Sequence, residues 1–162
     1  METSMKSNLF IGVLIIAIIG VVGTMATQAF PQNNSVSKVL TTATLYKSLS
    51  CGCCGQYTAY LKGEGYGIEV EAVEDMSAIK EQYGVPYELE SCHTMEVEGY
   101  VVEGHIPEEA VQKLLAERPD IKGIGMAGMP SGSPGMPGPK ISDFVIYEIT
   151  HDGEKGNVFM TI

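Results

Sequence analysis

The chain opens on an unbroken apolar run and only later settles into patterned segments. From Leu9 to Ala26, "LFIGVLIIAIIGVVGTMA", eighteen residues pass without a charge, after the short "METSMKSN" with its Lys6. That length reaches the lower range for crossing a bilayer and exceeds a usual signal-peptide core, and small residues follow in "TMATQA". Residues 1–29 therefore read as an N-terminal transmembrane or signal helix, and either one predicts that the rest is exported. "PQNNSVS" (31–37) has no period, so 30–37 reads as a polar linker. Residues 38–162 remain as one domain, long enough to build its own core.

Inside that domain the periods alternate. "KVLTTATLYKS" (38–48), rich in β-branched residues, predicts a strand, and "GQYTAYLKGEG" a helix closed by Gly63 or Gly65. "YGIEVEAVE" (66–74) alternates apolar and acidic residues as a half-buried strand does. Asp75 and Gly84 bracket a short helix as N-cap and stop. "MEVEGYVVEGH" reads as two short strands turning at Gly99. "IPEEAVQKLLAERPD" is a helix with Pro107 in its first turn, two glutamates after it, and Ala110, Val111, Leu114 and Leu115 on one face. "GIGMAGMPSGSPGMPGPK" is too rich in glycine and proline to hold regular structure throughout. "ISDFVIYEIT", "HDGEKG" and "NVFMTI" predict a terminal hairpin.

Charge narrows the partners. The formal net charge is −10, and removing residues 1–29 takes away one lysine and one glutamate, which leaves it unchanged. Such a surface repels phosphate backbones, so nucleic acid is not expected as a partner.

The chemistry concentrates in "SLSCGCCGQY", which carries three of the four cysteines, Cys51, Cys53 and Cys54. Cys51 and Cys54 form a C-x-x-C pair at a helix start, where amides and the helix dipole favour thiolate. That suits disulfide exchange and metal ligation equally. A dithiol enzyme has no need of Cys53, whereas a site for soft ions could use it as a further ligand; a buried structural thiol is the plain alternative. The order strand, cysteines, helix, strand predicts an α/β fold, specifically a thioredoxin-like domain with a C-terminal β-hairpin extension. In such a fold Cys92, in "ESCHT", approaches the cysteine turn and four thiols gather, although two disulfides are the ordinary reading in an exported protein.

Met126, Met129 and Met136 fall within "GMAGMPSGSPGM". Thioethers on a Gly/Pro-rich loop contribute little to a core and suit Cu(I), although such loops also serve as lids or partner surfaces. His93 and His105 could ligate or could be hydrogen-bonded structural residues. A C-x-C-C grouping with one distant cysteine lacks the paired spacing of zinc knuckles or ribbons and fits iron–sulfur ligation poorly. Thiolate with thioether points first to monovalent copper.

Over about residues 45–137 the chain closely resembles the CopG-type family of exported copper-binding, copper-resistance proteins. The motifs are C-x-C-C, S-C-H-T, G-Y-x-x-E-G-H-x-P and, in order after them, G-M-P-x-G-S-P-G-M. The resemblance implies a thioredoxin-like fold binding copper through Cys51, Cys53, Cys54 and Cys92, as a multinuclear Cu(I) cluster serving copper tolerance by sequestration or redox handling. His93, His105, Met129 and Met136 match family positions; Met126 matches none. Tyr57 stands where the family commonly has Trp, and Ala127 where it has Pro.

The expected function is thus an extracytoplasmic copper-binding protein, anchored to the membrane through residues 9–26, with a copper transporter or acceptor protein as partner. The competing expectations are a membrane-tethered thiol–disulfide oxidoreductase using Cys51 and Cys54, a chaperone that only delivers the ion, and a purely structural pair of disulfides.

Overall fold

The computed structural model describes residues 41–162, so the apolar run and the linker lie outside the described residues, as do residues 38–40 of the first expected strand. Among the described residues no helix is long and apolar enough to cross a membrane. They form a mixed α/β structure of seven strands and three helices. In chain order these are β1 (Thr42–Ser48), α1 (Gly52–Gly63), β2 (Gly67–Val73), α2 (Met76–Tyr83) and, after a 3-10 turn at Tyr87–Leu89, β3 (His93–Val97) and β4 (Tyr100–Glu103). α3 (Glu108–Glu117), β5 (Gly123–Gly125), β6 (Val145–Ile149) and β7 (Lys155–Thr161) complete the chain.

All seven strands share one sheet in the order β2-β1-β3-β4-β5-β6-β7. β1 runs parallel to β2, with α1 as the crossover, and antiparallel to β3. The β3–β4 hairpin turns at Glu98 and Gly99, both at positive φ (47° and 86°), the conformation that a two-residue turn needs to match strand twist. β6 and β7 form the expected terminal hairpin and continue the sheet through β5.

Side-chain alternation splits the core between the two faces. Ala43, Leu45, Met95, Val97, Val102, Ile124 and Ile146 point to the face covered by α1 and α3, where Leu61, Val111 and Leu114 meet them. Val101 and Ile149 point to the other face and pack with Val85 and Leu89. Capping follows the sequence closely at α2, where the Asp75 carboxylate accepts from the Ser77 and Ala78 amides (2.9 and 3.2 Å) and Gly84 closes the helix at φ 62°.

The cysteine pair stands at a helix start as expected, with Cys51 the N-cap of α1 and Cys53 and Cys54 in its first turn. Two expectations need correction. Pro107 is the N-cap of α3 and lies outside its first turn. The Gly/Pro/Met stretch opens with a genuine strand: β5 pairs in parallel with β4, and Met126, directly after it, buries its side chain in the main core.

Candidate metal centre

Strand register brings the sulfur-bearing residues together. In the β1–β3 pairing Lys47 stands opposite His93, so β1 ends where β3 begins and the cysteine turn after β1 sits beside Cys92. In the β3–β4 pairing Thr94 stands opposite Glu103, which carries Cys92 toward His105 beyond the last paired residues. A further hydrogen bond, from the Gly104 amide to the His93 carbonyl (3.1 Å), extends that register. Residues 129–136 leave from β5, on the far side of β4.

The result is one cluster. Cys51 and Cys54 are joined as a disulfide, and Cys53 and Cys92 are free thiols. The Cys53 sulfur lies 3.6 Å from the sulfurs of both Cys51 and Cys92, and the Cys54 sulfur 3.6 Å from that of Cys92. The Met129 thioether is 3.9 Å from Cys53, half exposed at the rim. Donor atoms of the four cysteines all lie within 4.8 Å of one another, and those of Cys92, His93 and His105 do likewise. Such groupings could hold a metal ion.

The two histidines are prepared differently. His105 is buried, its Nδ1 lies 2.7 Å from the Pro134 carbonyl and its Nε2 3.0 Å from the Cys92 sulfur. A carbonyl only accepts, so Nδ1 carries the proton and Nε2 presents its lone pair to the sulfur, the arrangement that orients a ligating imidazole. His93 places Nδ1 3.3 Å from Cys92, while its Nε2 is buried without a hydrogen-bond partner. The Tyr57 ring backs both imidazoles, with centroids 4.5 Å from His93 and 5.5 Å from His105. Its hydroxyl donates to the Ile106 carbonyl (2.9 Å), and burial pushes its phenol above the ordinary range.

Burial dominates the electrostatics. Desolvation first, and then the neighbouring Cys53, push the Cys92 thiol up to about 12. Burial lowers His93 to about 3, helped by His105 and Lys80, and lowers His105 as well. At neutral pH Cys92 is therefore a thiol and both imidazoles beside it are uncharged. Lys47 adds a cation close by, its Nζ 3.5 Å from the Cys51 carbonyl.

The Gly/Pro loop is braced against the cluster. The Ser131 hydroxyl donates to the Pro139 carbonyl (2.9 Å) and that of Ser133 to Pro130 (2.7 Å). Gly135, at φ 81°, lies so close to α1 that a Cβ would stand 2.6 Å from the Tyr57 nitrogen. Met136 lines a shallow depression with Gln56 at that contact. Of the residues marked in the sequence, then, Cys51, Cys53, Cys54, Cys92, His93, His105 and Met129 meet at one place. Met136 lies on the neighbouring surface, and Met126 belongs to the core.

Sequence reasoning missed the supports. Pro134 orients His105, and Glu103 forms a buried ion pair with Lys80 behind Cys92. Glu103 was signalled by its fixed place in G-Y-x-x-E-G-H-x-P and by being the one acid in an otherwise apolar strand, whereas nothing pointed to Lys80.

Comparisons with known proteins agree in part of the chain and in most of it. A family model described as a protein of unknown function, DUF411, matches residues 89–136. Two solved structures of copper resistance protein CopG, form 1 and form 2, are each 35% identical to the chain, with TM-scores of 0.70. Each match covers 76% of this chain and 98% of the other. No curated protein matches.

Proposed function

This chain belongs to the family of copper resistance protein CopG, and from that premise we propose that it binds copper as Cu(I) between the cysteine turn and Cys92. The observation that carries the reading is the convergence of sulfurs from two chain segments: Cys92 stands 3.6 Å from both Cys53 and Cys54, which lie more than thirty residues earlier. Thiolates and thioethers are soft donors that suit Cu(I) better than hard divalent ions.

In this reading Cys51, Cys53, Cys54 and Cys92 hold the ion, Met129 caps it from the rim, and His105 adds its Nε2. His93 supplies Nδ1 next to the same sulfur. This many donors within one small volume favours more than one copper per chain. Met136 would need a loop movement to join, and Met126 serves packing. Cys51 and Cys54 become ligands only after the disulfide accepts two electrons and two protons to give two thiols. Each thiol then loses its proton to the solvent as copper binds, so uptake releases protons and weakens in acid.

The domain would work outside the cytoplasm, with residues 1–29 as anchor or signal, 30–37 as tether and 38–162 as a thioredoxin-like domain. Its partner would be a copper transporter or acceptor. Titration of the reduced protein with Cu(I) against a competing chelator tests the reading. Thiolate-to-copper charge-transfer absorption with stoichiometric uptake is expected, and the absence of both rejects it.

One observation favours a second reading, a thiol–disulfide oxidoreductase: Cys51 and Cys54 are paired as a disulfide, with Cys51 as the N-cap of α1. The more exposed Cys51 would be attacked by a substrate thiolate, releasing the Cys54 thiolate. Reduction of insulin by metal-free protein tests it.

A further inference from the structure

The ion pair behind the cluster is almost wholly buried, with the Lys80 side chain 7% exposed and that of Glu103 not at all. Glu103 ends β4 fully buried, opposite Thr94. Its carboxylate accepts from Lys80 of α2, from the Thr94 hydroxyl (2.6 Å) and from the Ser91 backbone amide (2.7 Å). Lys80 also donates to the Thr94 hydroxyl (3.3 Å). Buried pairs of this kind are often no more stabilising than apolar side chains of the same volume, so stability is a poor account of this one. What no apolar residue could do here is hold the Ser91 amide, one residue before Cys92.

The same stretch of β4 fixes two further segments of the site. The Glu103 carbonyl accepts from the Met126 amide (3.1 Å), where the chain enters the loop that carries Met129. Gly104 sits at φ 85° with no room for a Cβ, which would stand 2.7 Å from the Met126 carbonyl and 2.8 Å from the Ser91 Cβ. Then comes His105, 3.0 Å from the Cys92 sulfur. The 91 and 128 backbones are tied to each other as well, through the Ser91 hydroxyl on the Gly128 carbonyl and the Gly128 amide on the Glu90 carbonyl (3.1 Å).

We propose that Glu103, anchored by Lys80, is a positioning residue for the sulfur site: by holding the Ser91 amide it sets where the Cys92 sulfur stands relative to Cys53, Cys54 and His105. The consequence for affinity rests on the copper reading; the positioning itself does not.

Paired substitutions separate positioning from packing. K80M/E103Q removes both charges and keeps an amide oxygen for Ser91, whereas K80M/E103L removes both charges and the acceptor. Cu(I) affinity of the reduced protein, from chelator competition, is expected to stay near wild type in the Gln variant. In the Leu variant it should fall about ten-fold or more, as loss of outer support to a metal ligand typically costs. Without copper, amide hydrogen exchange at residues 91–93 should quicken in the Leu variant alone. Equal affinity and equal exchange in the two variants would overturn the proposal, as would losses that merely track denaturation midpoints in both. If wild type takes up no Cu(I) but exchange at 91–93 still quickens only with Leu, the positioning role stands and the copper reading falls. Should K80M/E103L not fold, E103D carries the test: one methylene shorter, it can pair with Lys80 but not reach Ser91. Affinity and exchange unchanged in E103D would overturn the proposal.

Discussion

The His105 Nε2 and the Cys92 sulfur stand 3.0 Å apart because β3 and β4 keep their register past their last paired residues. The contact is held from behind, since the other ring nitrogen is fixed on the Pro134 carbonyl of a distant loop. Whatever moves that loop should reach the sulfur.

Gly135→Ala is the sharpest way to move it. The backbone there has φ 81° and the new methyl would meet the Tyr57 nitrogen of α1. We expect a loss of more than about 1 kcal/mol in stability, from strain in a left-handed conformation plus the clash. Cu(I) affinity should fall about ten-fold as His105 loses its anchor. Chemical denaturation and chelator competition on the same preparation check both.

Cys53→Ser tests what the third thiol is for. Cys53 touches Cys51, Cys92 and Met129 at 3.6 to 3.9 Å yet takes no part in the disulfide. The variant should keep any dithiol activity of metal-free protein but lose copper stoichiometry or affinity. Unchanged copper binding would make Cys53 a bystander.

The oxidation state should be readable by mass. Alkylation of the unfolded, unreduced protein is expected to label two cysteines, Cys53 and Cys92, and reduction beforehand should raise the number to all four. Cu(I) uptake should rise with it. Four labels without reduction would contradict the pairing.

Metal-free protein should weaken in acid. His93 is held neutral to about 3 by burial, against an ordinary value of 6.5, and His105 is lowered as well. Above 6.5 both are neutral whether folded or not and contribute no slope. Below it the unfolded chain takes protons that the folded chain refuses, so stability falls as pH falls from 6.5 toward 3. Urea denaturation of the reduced apoprotein across that window measures the slope, and His93→Phe should flatten it.

Much of this fold was legible because its signals are local. Asp75 and Gly84 bound α2 where the caps place them, and the Glu98–Gly99 turn sits between the two alternating runs. Local signals also misled. The helical pattern was read from Gly55, yet α1 already begins at Gly52, and Cys54 and Tyr57 point into the core. Met126 looked like a loop residue, but β5 forms only by lying along β4, and no pattern within "GIGM" announces a partner strand. In the site, the cysteines and histidines stood out by residue type. Lys80 and Glu103 did not, since their meeting depends on α2 packing against β1 and β3. The C-x-x-C spacing alone was compatible with both a closed disulfide and two open thiols.

The disulfide beside two free thiols has a further meaning if copper is the cargo. Closing or opening one bond halves or doubles the thiols on offer, from four to two or from two to four, so electron supply and metal occupancy become linked quantities. Linkage runs both ways: reductant would increase the protein's hold on copper, and copper, once aboard, would make the protein harder to oxidise. The chain would then report the electron balance of its surroundings through how full it is.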